Sequence, residues 1–157
     1  MPLRWLLLLL FPSLWCHCHC HGLISPIVHP GTLGTLISEK VTHTTEIIFQ
    51  FEVSRHLVEE GALRIYVSSD HSEAGLPLLV VTRHTQGVLS WQLPLLVRTD
   101  LGQDEFLMTQ YQSVNRTLCP ANNYPILLGD GNKEEETHTV LVSFSTASPK
   151  EVQFQLR

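Results

Sequence analysis

The stretch EIIFQFEV (46–53) alternates side chains with a period of two: Phe49, Phe51 and Val53 fall on one face, Gln50 and Glu52 on the other. An extended backbone sends successive side chains to opposite faces, so this pattern marks a strand with one buried and one solvated face. The same alternation returns in ALRIYVSS (62–69), where Leu63, Ile65 and Val67 share a face. It returns in HTVLVSFSTA (138–147) through Val140, Val142 and Phe144, and in VQFQLR (152–157) through Val152, Phe154 and Leu156. Strands of this kind need a partner layer to cover their apolar sides.

PLLVVTRH (77–84) and VLSWQLPLLV (88–97) read as a hairpin around Gln86 and Gly87. Pro94 lacks an amide hydrogen, so it makes the second half of the latter run an edge, bulge or bend. Leu89, Trp91 and Leu93 are in phase, which places Trp91 in the core. FLMTQYQSV (106–114) is a weaker, more polar strand candidate. HLVEEG (56–61), GDGNKEEE (129–136) and ASPK (147–150) read as connections, punctuated by Gly and Pro. The chain carries no long amphipathic helical pattern. Its fold class is therefore expected to be all-β, an antiparallel β-sandwich of about seven or eight strands over 44–157. The Pro- and Gly-bearing segment 21–43 reads as an irregular lead-in.

Residues 1–20 carry a different signal. MPLRWLLLLLFPSL (1–14) has one positive charge at Arg4 and a short apolar run, the n- and h-regions of a secretory signal peptide. It is too short to span a bilayer as a helix. WCHCHCHG (15–22) alternates three cysteines with three histidines. The soft ligands Cys16, Cys18 and Cys20 suggest a metal, but alternate residues of an extended chain face opposite ways, whereas zinc takes ligands in tetrahedral array. The run is read as the tail of the signal, cut near residues 19–22, and no metal or cofactor is expected. The remaining chain is assigned to the secretory pathway, lumenal or extracellular, with Cys119 its one cysteine.

Ten basic and fifteen acidic residues give a net charge of −5. Nucleic-acid binding draws its sequence-independent part from concentrated positive charge, and the one dense run, KEEE (133–136), is acidic. Seven of the nine histidines lie from His21 onward and gain charge in acidic compartments. Asn115-Arg116-Thr117 is an N-glycosylation sequon, placed near a strand end. In an oxidising compartment Cys119 is joined to another molecule, joined to a part of the polypeptide outside this sequence, or a free buried thiol. His84, Ser90 and Asp100 can be named as a hydrolytic set, but no nucleophile-elbow motif supports them. Asp100, Asp104 and Glu105, or the loop at Asp130, suggest carboxylate chemistry or calcium without the full ligand series. The chain is not read as an enzyme. Tyr111, among glutamines, stays open between packing and binding.

VLSWQLPLL (88–96) followed by YQSVNRTLCP (111–120) resembles the SID1 transmembrane family, with the likeness extending over about residues 44–157. The resemblance implies the first β-sandwich ectodomain of a transporter linked to double-stranded RNA uptake, cholesterol or lysosomal nucleic-acid traffic. Full-length relatives of that kind sit in plasma or lysosomal membranes. It also implies a structural disulfide at Cys119, and as partners a further copy of the chain or a SID1-type membrane protein. Direct double-stranded RNA contact is the alternative and requires Arg64, Arg83, Arg98 and Arg116 to converge, because A-form RNA is read largely through its backbone and 2′-hydroxyls. A soluble secreted binding protein without a transport role is the third reading.

Overall fold

The computed structural model describes residues 25–54, 62–84, 87–102, 105–118 and 137–157. Among them are eleven strands: β1 (Ser25–Pro30), β2 (Ile37–Val41), β3 (Thr45–Ser54), β4 (Leu63–Ser68), β5 (Leu78–His84), β6 (Gly87–Leu93), β7 (Leu95–Gly102), β8 (Glu105–Tyr111), β9 (Ser113–Leu118), β10 (Thr137–Thr146) and β11 (Val152–Leu156). They form a five-stranded sheet β1-β3-β10-β5-β6, a four-stranded sheet β2-β11-β4-β9 and the two-stranded sheet β7-β8. The chain is all-β. The expected seven or eight strands in a wholly antiparallel arrangement require correction in number, in grouping and in the β1–β3 pair, which is parallel.

The inward face of each alternating strand enters one core. From the five-stranded sheet come Phe49, Phe51, Val53, Leu78, Val80, Trp91, Leu93, Val140, Val142 and Phe144. From the four-stranded sheet come Val41, Ile65, Val67, Val114, Val152, Phe154 and Leu156. The sheets meet through aromatic rings: Phe144 of β10 stacks on Phe154 of β11 with centroids 4.0 Å apart, and Phe49 packs edge-on against both. Burying side chains of this size contributes roughly 1.5–3 kcal/mol each against exposure.

Two runs read as single strands are each divided. VLSWQLPLLV breaks at Pro94, where the chain leaves β6 on the five-stranded sheet and starts β7 on the third sheet. FLMTQYQSV breaks at Gln112, between β8 and β9. The segment read as an irregular lead-in is also corrected: it holds β1 and β2, one for each main sheet. Their burial is slight, with only Val41 fully covered, so neither displays the alternation that betrays a strand. Between them Gly31 lies against the Phe51 ring, where a Cβ would collide with it, and its amide donates to the Gln50 carbonyl at 2.7 Å. Gly34 turns the loop at φ +79°, a left-handed conformation that favours glycine.

Ser69, Ser72 and Gln112 fix the crossing from β8 to β9. The Ser69 hydroxyl donates to the Gln153 carbonyl at 2.6 Å, and the Ser72 hydroxyl donates to Gln112 Oε1 at 3.0 Å. At the edge strand β2, Lys40 pairs with Glu151 at 2.8 Å.

Candidate binding cleft

The four-stranded sheet borders a cavity among the described residues. β4 pairs with β9 along its whole length, from Leu63↔Leu118 to Ser68↔Ser113. On its other side it pairs with β11 only at Gln155↔Ser68 and Leu156↔Val67. One more pair, Tyr66 with Arg157, exchanges both backbone hydrogen bonds at 2.8 and 3.0 Å. Leu63, Arg64 and Ile65 then border a cleft of about 640 Å³. Phe51, Val140 and Val142 of the opposite sheet form its floor, and the loop from Thr32 to Leu36 forms its far wall. Leu36 is 59% exposed there, and Arg64, Tyr66, Asn115 and Arg157 stand at the mouth. Thr35 braces the loop by donating its hydroxyl to the Thr32 carbonyl at 2.6 Å. The lining is mostly apolar because it includes the inner faces of two sheets.

The four arginines named from sequence occupy different surfaces. Arg64 points outward from the four-stranded sheet, whereas Arg116, two residues after the buried Val114 on β9, is in phase with the inward face. Its guanidinium carbon lies 6.0 Å from the centre of the Trp91 ring, and its Nε is buried without a hydrogen-bond partner among the described residues. Arg83 lies on the outer face of the five-stranded sheet and donates to Ser143 Oγ at 3.4 Å. Arg98 belongs to the β7–β8 hairpin, pairs with Asp100 at 2.9 Å and lies 4.3 Å from the Phe106 ring centre. The fold thus does not gather them on one face.

Asn115 is exposed in the middle of the edge strand β9, with Thr117 on the same outward side, rather than at a strand end. Trp91 is 6% exposed, in the core as expected. His84 and Ser90 are on opposite faces of the β5–β6 hairpin by strand phase, and Asp100 is on the third sheet, so no hydrolytic set assembles. Among the described residues no group of three or more His, Cys, Asp or Glu side chains is placed to hold a metal. Cys16, Cys18, Cys20, Asp104, Cys119 and Asp130 lie outside the described residues. Tyr111 is exposed at the end of β8, on a hairpin that also presents Leu101, Phe106, Leu107 and Met108.

What sequence reading missed is the cleft. Its residues from the sheets were legible as strand residues, but which of them meet around a cavity with the Thr32–Leu36 loop depends on tertiary packing, which alternation does not encode.

These features define a class: an all-β module of packed sheets with an apolar cleft and, among the described residues, no catalytic constellation. The chain is 41% identical over 81 residues to SID1 transmembrane family member 1 of Mus musculus and, equally, of Homo sapiens. It is 32% identical over 122 residues to cholesterol uptake protein 1 of Caenorhabditis elegans. At the level of family, the chain is related to these proteins. The first two matches span 52% of this chain but 9% of each relative, and the third 77% of the chain and 14% of the relative. No family model matches. Among solved structures, the pre-peptidase C-terminal domain of collagenase from Bacillus anthracis aligns with a TM-score of 0.42 and 11% identity, over 84% of this chain and 94% of that one. No helix among the described residues is long and apolar enough to cross a membrane.

Proposed function

We propose that this chain is a non-catalytic binding or assembly module of the secretory lumen or cell exterior, comparable to the first ectodomain of a SID1-type transporter of double-stranded RNA or cholesterol. In this reading 1–20 is a signal peptide, the strands after it form a two-sheet sandwich, Asn115 carries a glycan and Cys119 forms a structural disulfide. Its partner is a SID1-type membrane protein or a further copy of the chain. The observation that carries the reading is the 41% identity to the SID1 proteins over 81 residues. The outward Asn115 and the exposed apolar hairpin β7–β8 agree with it, since they offer a glycan acceptor and a contact surface.

Assembly is favoured over direct RNA recognition because Arg64, Arg83, Arg98 and Arg116 are dispersed and the net charge is −5. Intact-mass measurement of material expressed through the secretory pathway, with and without reduction and glycosidase, tests the assignment. The expected product lacks about the first twenty residues, loses mass with glycosidase only when Asn115 is present, and changes on reduction through Cys119. A chain that stays in the cytosol with its first residues intact overturns it. Saturable, salt-sensitive binding of double-stranded RNA at about pH 5 or about pH 7.4 would restore the RNA reading.

A further inference from the structure

We infer that the Asn115 glycan guards the β9 edge, and that without it β9 pairs with β9 of a second copy of the chain. The inference names what the glycan does and rests on the reading of Asn115 as its acceptor.

β9 ends the four-stranded sheet, with β4 on one side and no described strand on the other. Sheet edges present unpaired amides and carbonyls, and proteins commonly blunt them with proline or charge. The other edge strands of the two main sheets follow that rule. β1 contains Pro26 and Pro30, β2 exposes Glu39 and Lys40, and β6 runs into Pro94. β9 reads SVNRTL and has no proline; its one charged side chain, Arg116, is in phase with the buried Val114. On its outward face stand Ser113, Asn115 and Thr117, all uncharged.

The ladder decides which backbone groups of β9 are free. Beside β9, the Ser69 amide donates to the Gln112 carbonyl at 2.9 Å. Bonded and unbonded positions alternate along an antiparallel pair, so Val67↔Val114 and Ile65↔Arg116 are bonded pairs whereas Tyr66↔Asn115 is not. Tyr66 agrees, since its amide and carbonyl are both used on the opposite side of β4. The amides and carbonyls of Ser113, Asn115 and Thr117 therefore point off the edge. The glycan acceptor is the central residue of the three.

Two such edges match in one full register. Residues with outward backbone groups must face one another, so a twofold arrangement sets Asn115 against Asn115 of the second copy, and Ser113 against its Thr117. On the inner face each Arg116 then meets Val114. Moving the axis to Arg116 would oppose two guanidiniums, and moving it to Val114 would draw in Gln112, whose side chain is engaged with Ser72. Residues of a bonded pair have Cα atoms about 5.5 Å apart and side chains on the same face. Two bare asparagine amides fit that spacing and can hydrogen-bond to each other. Two glycans attached there would claim the same space, because each is far bulkier than the side chain that bears it. The glycan thus forbids the register that the bare edge favours.

The test is sedimentation velocity of four chains made through the secretory pathway, run under reduction so that Cys119 contributes no covalent dimer. The glycosylated wild type sets the baseline, including association through β7–β8. Asn115→Gln and Thr117→Ala lose the glycan by different changes, and each should self-associate at least about tenfold more tightly than the baseline. Asn115→Pro loses the glycan and an outward amide together. An edge strand accepts proline where the missing amide faces solvent, so this variant should keep the circular dichroism spectrum of Asn115→Gln yet return to the wild-type association. Equal association of glycosylated and glycan-free chains, or association of Asn115→Pro as tight as that of Asn115→Gln, overturns the inference. A chain secreted without a glycan at Asn115 overturns the acceptor reading and the inference with it. A glycosylated chain indifferent to glycan removal sinks the guard alone.

Discussion

Phe144 has no exposed surface and stacks at 4.0 Å on Phe154, so it is one of the rings through which the two main sheets meet. Phe144→Ala should cost about 3–5 kcal/mol, measured by urea unfolding, because the emptied volume lies between rigid layers. Thr82 behaves oppositely. Its hydroxyl is buried without a partner among the described residues, and an unmet buried polar group costs about 1–3 kcal/mol, so Thr82→Val should leave stability unchanged or raise it. Such roles are unequally visible in sequence. Phe144 announces itself through Val140 and Val142 in phase with it. Arg116 does not, because a charged side chain breaks the alternation that would otherwise have shown Val114, Arg116 and Leu118 facing the same way.

Among the elements, β3, β4, β5, β10 and β11 are legible from their alternation. β1 and β2 are not: β1 is an edge strand bounded by prolines and nearly all exposed, and β2 buries only Val41 fully. Pro94 signals a break, but its outcome, a change of sheet, depends on tertiary packing. The β7–β8 hairpin stands outside both main sheets, so Leu107→Lys with Met108→Lys should change unfolding free energy by less than about 0.5 kcal/mol for each site. Their effect should appear in self-association, read by sedimentation velocity. At β2 the hydrogen bond and charge of Glu151 raise the Lys40 pKa above its ordinary value of 10.5. A cation favoured in the folded state adds stability that is complete below 10.5 and fades as pH rises through the higher folded value. Lys40→Met should remove that alkaline dependence from a thermal-melt series.

For the molecule as a whole, one hydrophobic cluster draws on both main sheets, and neither can expose its face without the other. Unfolding should therefore be a single transition, with the calorimetric and van't Hoff enthalpies equal in differential scanning calorimetry. At this scale the sequence is informative about the all-β class and silent about the cleft. An acidic chain with a leader-like start is readable from composition. A cavity lined by two sheets and the Thr32–Leu36 loop arises only when their tertiary placement is laid out.

The burial of Trp91 has an optical consequence. The other tryptophans, Trp5 and Trp15, lie in the segment assigned to the signal peptide. If that segment is removed, as proposed, the indole emission of residues 21–157 comes from one ring, 6% exposed, with its Nε1 unbonded among the described residues and the Arg116 guanidinium 6.0 Å away. A chain processed in that way would carry its own single-site fluorophore, blue-emitting while the sheets are closed and red-shifting as water reaches the core.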